Sequence, residues 1–421
     1  MKKHSPWAWI PTLYFAEGLP YVAVMSLSVI MYKRLGVSNT DLALFTSWLY
    51  FPWVIKPLWS PFVDLIKTKR WWIYTMQALI GAGMAGVAFM LPGDFFFRST
   101  LAFFWLMAFS SATHDIAADG FYMLGLDNEQ QAFFIGIRNT FYRVAMITGQ
   151  GLLVMLAGWL EKSTGRIPLA WSLIFFILAG GFVGLAAWHK FVLPRPATDH
   201  PRPAVTFSVI LAEFVQTFLS FFRKKGIGPA LLFMLTFRLG ESQLVKLASP
   251  FLLDGRQVGG LGLSTAEVGF AYGTVGVIAL LLGGILGGWA ISRKGLSYWI
   301  WPMALALSLP NAVYLYMAYC LPENLWMVNT CVAIEQFGYG FGFTAYTMYL
   351  MLFAEGKYQT SHYAISTGFM ALGMMLPGMV SGWIQEQIGY AYFFIWVMAC
   401  CLPIFFVLPF LRFPRREGKT D

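Results

Sequence analysis

The sequence predicts an all-α integral membrane protein, with twelve transmembrane helices in two pseudo-symmetric six-helix bundles. Three observations predict it. Hydrophobic residues fill 58% of the 421 positions and charged residues only 12%, about half the ~25% usual in soluble domains. A water-soluble fold would then have to hide more than half of its residues in a core, so lipid has to be the solvent. The chain also divides into apolar runs of at least ~20 residues, the length that crosses a bilayer. Finally, one longer polar stretch separates these runs into two sets of six.

The spans are expected at about 7–32, 41–64, 71–92, 99–126, 133–160 and 168–193, then 227–253, 264–291, 297–321, 325–354, 359–385 and 390–411. The first follows the basic start Met1-Lys2-Lys3-His4. It is too long for a signal peptide and has no small-residue cleavage site, so it is expected to stay as an uncleaved helix. Trp71 and Trp72 open the third span, and Trp299 and Trp301 the ninth, as interface anchors do. The polar stretch opens with Pro194-Arg195-Pro196 and repeats proline at Pro201 and Pro203. Its segment 205–222 mixes Glu213 and Gln216 with Phe and Leu, the pattern of a helix lying on a membrane surface. The resulting domains are 1–193, a linker at 194–226, and 227–421.

The net charge of +9 follows from membrane topology and calls for no nucleic acid. With the N-terminus inside, nineteen Lys and Arg fall on inner segments. Six fall outside: Lys33, Arg34, Arg98, Lys162, Arg166 and Arg256. The asymmetry predicts both termini in the cytoplasm. Cys320, Cys331, Cys400 and Cys401 lie in or beside apolar runs without metal-ligand spacing and are read as free, buried thiols. No P-loop, His-Glu-x-x-His or Cys/His cluster is present, so ATP-driven transport, a metal site and a cofactor are not expected. Gly283-Gly284 and Gly287-Gly288 sit within a span and read as helix packing, as do Gly338 and Gly342.

Ionisable residues inside spans carry the functional reading, because a charge at the bilayer centre costs at least ~2.5–3.5 kcal/mol. Glu17, Lys56, Asp115, Asp119, Arg143, Arg238, Glu241, Lys246 and Glu335 are such residues. For each, the bland alternative is an ion pair that only holds helices together. Asp115 and Asp119 share a helical face, four residues apart, and are the candidates for carrying a proton. Arg238 and Glu241 can pair along one helix, with Lys246 two turns further on. Arg143 has no local carboxylate and needs a partner on another helix or an anionic substrate. Gly18 and Pro20 break the helix beside Glu17, as at the midplane sites of transporters. Glu335, Gln336 and Tyr339 lie within about a turn. Tyr21, Tyr142, Tyr339 and Tyr346 are candidates for stacking on sugar rings. Glu17 and Glu241 lie 224 positions apart, and Asp115 and Glu335 lie 220 apart, which suggests two homologous halves.

The run Lys56-Pro57-Leu58-Trp59-Ser60-Pro61-Phe62-Val63-Asp64, followed by Lys67, Lys69 and Arg70, resembles the motif between spans two and three of major facilitator transporters. Its variant is that of the AmpG-type muropeptide permeases. Four more segments resemble signatures of that family in the same order: Phe15 to Pro20, Ser111 to Asp119, Tyr142-Arg143 and Arg238 to Glu241. His114, where a Gln is more usual, and Gly120-Phe121-Tyr122 depart from the pattern. The resemblance implies proton-coupled import of anhydromuropeptides or related amino-sugar acids from periplasm to cytoplasm across a bacterial inner membrane, and a monomer is the default assembly. Glu17, Tyr21, Tyr142, Arg143, Arg238, Glu241, Lys246, Glu335, Gln336 and Tyr339 are then expected at the substrate, and Asp115 and Asp119 in proton coupling. Lys56, Asp64, Lys67 and Arg70 are expected in gating. The related acetyl-CoA transporters share two of the segments, so a transporter of acetyl-CoA-like or other anionic metabolites is the alternative. A membrane enzyme built on His114-Asp115 and a receptor without flux are the rivals from other classes.

Overall fold

A computed structural model describes residues 5–197, 199–200 and 207–413. Lys2, Lys3, Pro201, Arg202, Pro203, Arg415, Arg416 and Lys419 lie outside the described residues, as do the side chains of Asp64 and Glu213.

The described chain forms twelve helical rods, each started or broken by an identifiable residue. Rod α1 (10–34) carries Pro20 in its interior, which lacks an N–H and so frees the carbonyl of Ala16. A π-helical turn, Ala23–Leu27, follows. Rod α2 (39–66) starts at Ser38, whose hydroxyl accepts the Asp41 N–H, and breaks at Leu49 and Tyr50 just before Pro52. Rods α3 (Lys69–Met90) and α4 (Phe96–Gly125) are continuous. Rod α5 (128–164) opens on an Asp127–Gln130 capping box, turns π-helical over Ile147–Leu153, and ends at left-handed Gly165. Rod α6 is Ile167–Val192.

A connecting helix, Phe207–Phe222, leads to the second set. Its Phe221 is buried, and Ser220 hydrogen-bonds His362 at 2.8 Å, so its end docks on the second half. Rod α7 (227–253) breaks at Phe237 and Arg238. Rod α8 (265–294) begins with a Ser264–Glu267 capping box and is π-helical over Gly269–Gly276. Rod α9 (296–320) narrows to a 3₁₀ turn at Pro310, and α10 is Leu325–Ala354. The helical run Gln359–Cys400 is divided at Gly389, whose φ of +75° no helix allows, into α11 (359–388) and α12 (390–410).

Among the described residues seven helical stretches are long and apolar enough to cross a membrane by length and composition alone, and Ser361–Phe410 among them holds both α11 and α12. The rods left over are α2, α4, α7 and α10. They are broken or carry the intramembrane charges, and α2, α7 and α10 reach the cavity between the halves. Outward-facing side chains such as Ile285 (70% exposed), Phe191 (74%) and Phe406 (75%) form the lipid surface. All four cysteines are free. Cys320 corrects the expectation of burial: it closes α9 at the loop end and is exposed.

The packing is asymmetric from end to end. At the face away from the termini, one apolar core runs through both halves, from Val24, Leu42 and Tyr50 to Leu247, Phe251 and Phe394. At the terminal face the core splits in two. One part surrounds Trp9, Tyr14 and Phe121 in the first half, and the other surrounds Phe233, Tyr346 and Leu408 in the second. The halves are thus joined at the distal face and parted toward the termini.

Gly273 of α8 meets α5 so closely that a Cβ there would lie 1.9 Å from the Gln150 carbonyl oxygen. A Cβ on Gly158 would lie 2.4 Å from the Ala266 nitrogen. Small residues let these two backbones touch. Gly338 and Gly342 meet α9 in the same way, and Gly283 meets α10.

Candidate functional site

Where the joined and parted regions meet, a cavity of about 110 Å³ lies between the halves. Tyr21, Tyr50, Gln150, Arg238, Glu241, Lys246, Tyr272, Gln336 and Tyr339 line it. The break in α7 points Arg238 into this space. Its Nε donates to Glu241 Oε2 at 2.7 Å and its Nη2 to Glu241 Oε1 at 3.2 Å. The same Nη2 donates to the Tyr339 hydroxyl at 2.9 Å. The guanidinium lies over the rings of Tyr339 and Phe343, at 5.2 and 4.9 Å. Arg238 is therefore a compensated charge.

Lys246 is not. It is buried, its Nζ donates to the Thr46 hydroxyl of α2 at 3.1 Å, and it lies 5.1 Å from the Tyr50 ring. Among the described residues no carboxylate forms an ion pair with it. Arg143 is similar: its Nη1 contacts Met146 Sδ at 3.4 Å, and its charge reaches Tyr142 and Tyr339. Gln336 donates to Glu335 at 2.9 Å and contacts the Tyr272 hydroxyl at 3.3 Å.

A second group of charges lies in the first half, toward the termini. Asp115 is 3.6 Å from Lys56 Nζ and accepts the Trp53 indole N–H at 3.1 Å. Asp119 accepts from Arg138 at 2.8 Å, and Arg138 also stacks over Tyr14 and Tyr122. Arg138 falls near the inner end of the expected span 133–160 and counts among the inner-segment charges, and only its position over these rings reveals its part here. Glu17 belongs to this group and does not line the cavity. The charges acting on it are those of Asp119, Asp115, Arg138 and Lys56, and its Oε2 is buried without a hydrogen-bond partner. Tyr142 packs beside it, with its carbonyl oxygen 2.9 Å from where a Cβ on Gly18 would stand.

His114 faces away from Asp115. It accepts from the Gln77 amide at 2.9 Å, Gln77 accepts from His189 at 2.8 Å, and His189 meets Thr12 at 2.9 Å. This buried chain ties α1, α3, α4 and α6 together, which leaves His114-Asp115 no shared site for catalysis. Of the expected gating residues, Lys56 pairs with Asp115 and Lys67 is exposed. Arg70 bonds the carbonyls of Leu193 and Lys190 at the end of α6. Asp199 accepts the N–H groups of Lys69 and Arg70 at 2.7 and 3.1 Å.

Sequence reasoning passed over the polar contacts that close the distal face. Lys33 pairs with Asp254 across the halves at 2.7 Å and also donates to Asn39 at 2.8 Å. Asn39 donates to Gln385 at 2.6 Å and Tyr390 at 3.0 Å, and Tyr390 donates to Asp254 at 2.7 Å. Beside them Glu161 receives Arg34 at 2.9 Å and the Trp171 indole at 2.9 Å. Thr265, from the other half, also donates to it at 2.8 Å. In the sequence these residues sit at span ends, where polar side chains are ordinary, so nothing marks them.

The profile of the BT1 family matches residues 15–133. The anhydromuropeptide permease of Escherichia coli is 26% identical over 398 residues, covering 93% of this chain and 76% of its own. Putative transporter AmpG 4 of Rickettsia conorii is 25% identical over 415 residues, covering 95% of both. Among solved structures, a bacterial homologue of the human lysosomal transporter Spinster, inward-facing and unoccupied, superposes with a TM-score of 0.69 at 16% identity, covering 96% of each chain. The chain is thus a multi-pass membrane protein with the fold of solved membrane transporters, and it is similar along most of its length to the AmpG-type permeases.

Proposed function

We propose that this protein imports anhydromuropeptides or related amino-sugar acids together with protons, by alternating access of its two halves. The observation that carries the reading is Lys246. It is a cation buried between the halves without a carboxylate partner among the described residues, beside a cavity walled by Tyr21, Tyr50, Tyr272 and Tyr339. A substrate carboxylate supplies the missing charge, and the tyrosine rings suit sugar faces. Arg143 offers a second uncompensated guanidinium, while Arg238 paired with Glu241 forms a polar wall satisfied without substrate, beside Gln336, which donates to Glu335 behind it. At about 110 Å³ the cavity is below the ~300–1,000 Å³ typical of ligand pockets. A disaccharide must therefore enter as the halves separate.

The coupling acid belongs to the first-half group of Glu17, Asp115 and Asp119. The charge asymmetry supports both termini in the cytoplasm of a bacterial inner membrane, and a monomer is the assembly proposed. With Arg238 occupied by Glu241, two uncompensated cations remain, few for a polyphosphate such as a CoA ester. The test is uptake of labelled N-acetylglucosaminyl-anhydromuramic acid, with and without its peptide, into proteoliposomes under an acid-outside gradient. Gradient-dependent uptake supports the reading. No uptake from folded protein, or uptake of CoA esters in its place, overturns it.

A further inference from the structure

We propose that Glu17 is the group that takes up the transported proton, with Asp115 and Asp119 as the anions that position its two neighbouring cations. This rests on the symport reading above and names its coupling residue.

The first argument is charge balance within one cluster. Three carboxylates, Glu17, Asp115 and Asp119, share two cations, Lys56 and Arg138. Each aspartate holds a cation by direct contact, at 3.6 Å for Asp115–Lys56 and 2.8 Å for Asp119–Arg138. Arg138 is further fixed by the rings of Tyr14 and Tyr122. Among the described residues Glu17 has no such contact, and none of them donates to its buried Oε2. One negative charge is left over, and one proton cancels it. Placing that proton on either aspartate would cost Lys56 or Arg138 its contact partner while Glu17 stayed charged and out of contact with either cation. Placing it on Glu17 disturbs neither pair. Uptake forms one O–H bond on the Glu17 carboxylate, and release returns the proton to water. Nothing else is exchanged.

The second argument is position. Glu17 is surrounded by Tyr14 on its own rod, Lys56 on α2, Asp115 and Asp119 on α4, and Arg138 and Tyr142 on α5. The cluster opens toward the terminal face, where the Asp119 side chain is 45% exposed and gives the proton an exit in this state. One turn along α1, Tyr21 lies on the same helical face and lines the substrate cavity. Between them Pro20 leaves the Ala16 carbonyl without its helical donor, and the π turn Ala23–Leu27 follows, so this stretch of α1 departs from regular α-helix. Gly18 presses it onto Tyr142 of α5. A change of charge at Glu17 is thereby next to both Tyr21 and Tyr142.

The test compares wild type with Glu17→Gln, which fixes the neutral form. In proteoliposomes an acid-outside gradient is expected to stimulate wild-type uptake of the labelled disaccharide. In Glu17→Gln the ratio of rates with and without the gradient falls to about one, while exchange between labelled and unlabelled substrate continues. Stimulation retained in Glu17→Gln overturns the assignment and leaves symport standing. Wild-type uptake that ignores the gradient overturns symport itself. A second measurement needs neither substrate nor gradient: infrared difference spectra of purified protein between acid and alkaline pH. The protonated carboxyl C=O band is expected to vanish in Glu17→Gln and to move in Glu17→Asp. The latter keeps the acid and serves if the glutamine variant does not fold. A band unmoved in Glu17→Asp overturns the proposal.

Discussion

Substitution of Gly273 by alanine tests whether the α5–α8 crossing sets the balance between conformations. In the state described here the new methyl carbon would stand 1.9 Å from the Gln150 carbonyl oxygen. Real Cβ contacts begin near 3.0 Å, so the two backbones must move apart by about 1.1 Å. The obstacle is backbone on both sides, not the tip of a flexible side chain. Overpacking of this kind costs ~1–3 kcal/mol. If the crossing loosens when the distal face opens, that cost falls on the distally closed state alone. The distally open population then rises ~5- to 150-fold.

The assay is the distance between spin labels on Lys162→Cys and Val258→Cys, which are exposed on opposite halves of the distal face, in a background with the four native cysteines replaced. Gly181→Ala, where a Cβ meets nothing within 4 Å, is the control. A distance distribution identical to that of Gly273 protein refutes the reasoning. So does a drop in unfolding temperature without any shift in distance, because the cost would then fall on both states alike.

Asp254→Asn removes the ion pair that joins Lys33 to the second half and should favour the distally open state by ~1–3 kcal/mol. The same label pair reads it out. Glu161→Ala leaves Arg34, Trp171 and Thr265 without their shared acceptor. Thermal unfolding in detergent should show a loss of about 3 kcal/mol, the low end for a broken buried pair because Arg34 is 31% exposed. Lys246→Ala should weaken binding of the disaccharide acid ~10- to 150-fold, the worth of a hydrogen bond to a charged group. Binding of an analogue whose carboxylate is reduced to an alcohol should change little, and calorimetry on both ligands decides it.

The twelve rods were legible because lipid imposes a length and a composition on each of them, and the division at the proline-rich stretch was legible for the same reason. Their breaks were only partly so. Pro20 and Pro52 announce themselves, but the π turns in α1, α5 and α8 follow from packing between rods and leave no local signal. The start of α5 lies five residues before the expected 133. The Asp127–Gln130 capping box carries the helix into polar sequence that an apolar count discards. Span-end residues such as Lys33, Asn39, Asp254 and Glu161 cannot be told from ordinary loop polarity until the two halves are brought face to face.

The intramembrane charges make the deeper point. The sequence reading correctly treats each as expensive, yet expense attaches to an uncompensated charge and not to a residue type. Arg238 looks as striking in the sequence as Lys246, but two bonds to Glu241 and one to Tyr339 satisfy it within its own half. Glu17 reads as a cavity residue because it is an intramembrane charge beside the breakers Gly18 and Pro20, but its electrostatic neighbours are the ion pairs of α2, α4 and α5. What separates a brace from a working site is which charges remain after the pairs are counted. Among the described residues that remainder includes one carboxylate in the first-half cluster, Glu17, and two cations toward the cavity, Lys246 and Arg143. A proton balances the first and an anionic substrate the second, so proton and substrate each cancel a charge that the protein leaves open.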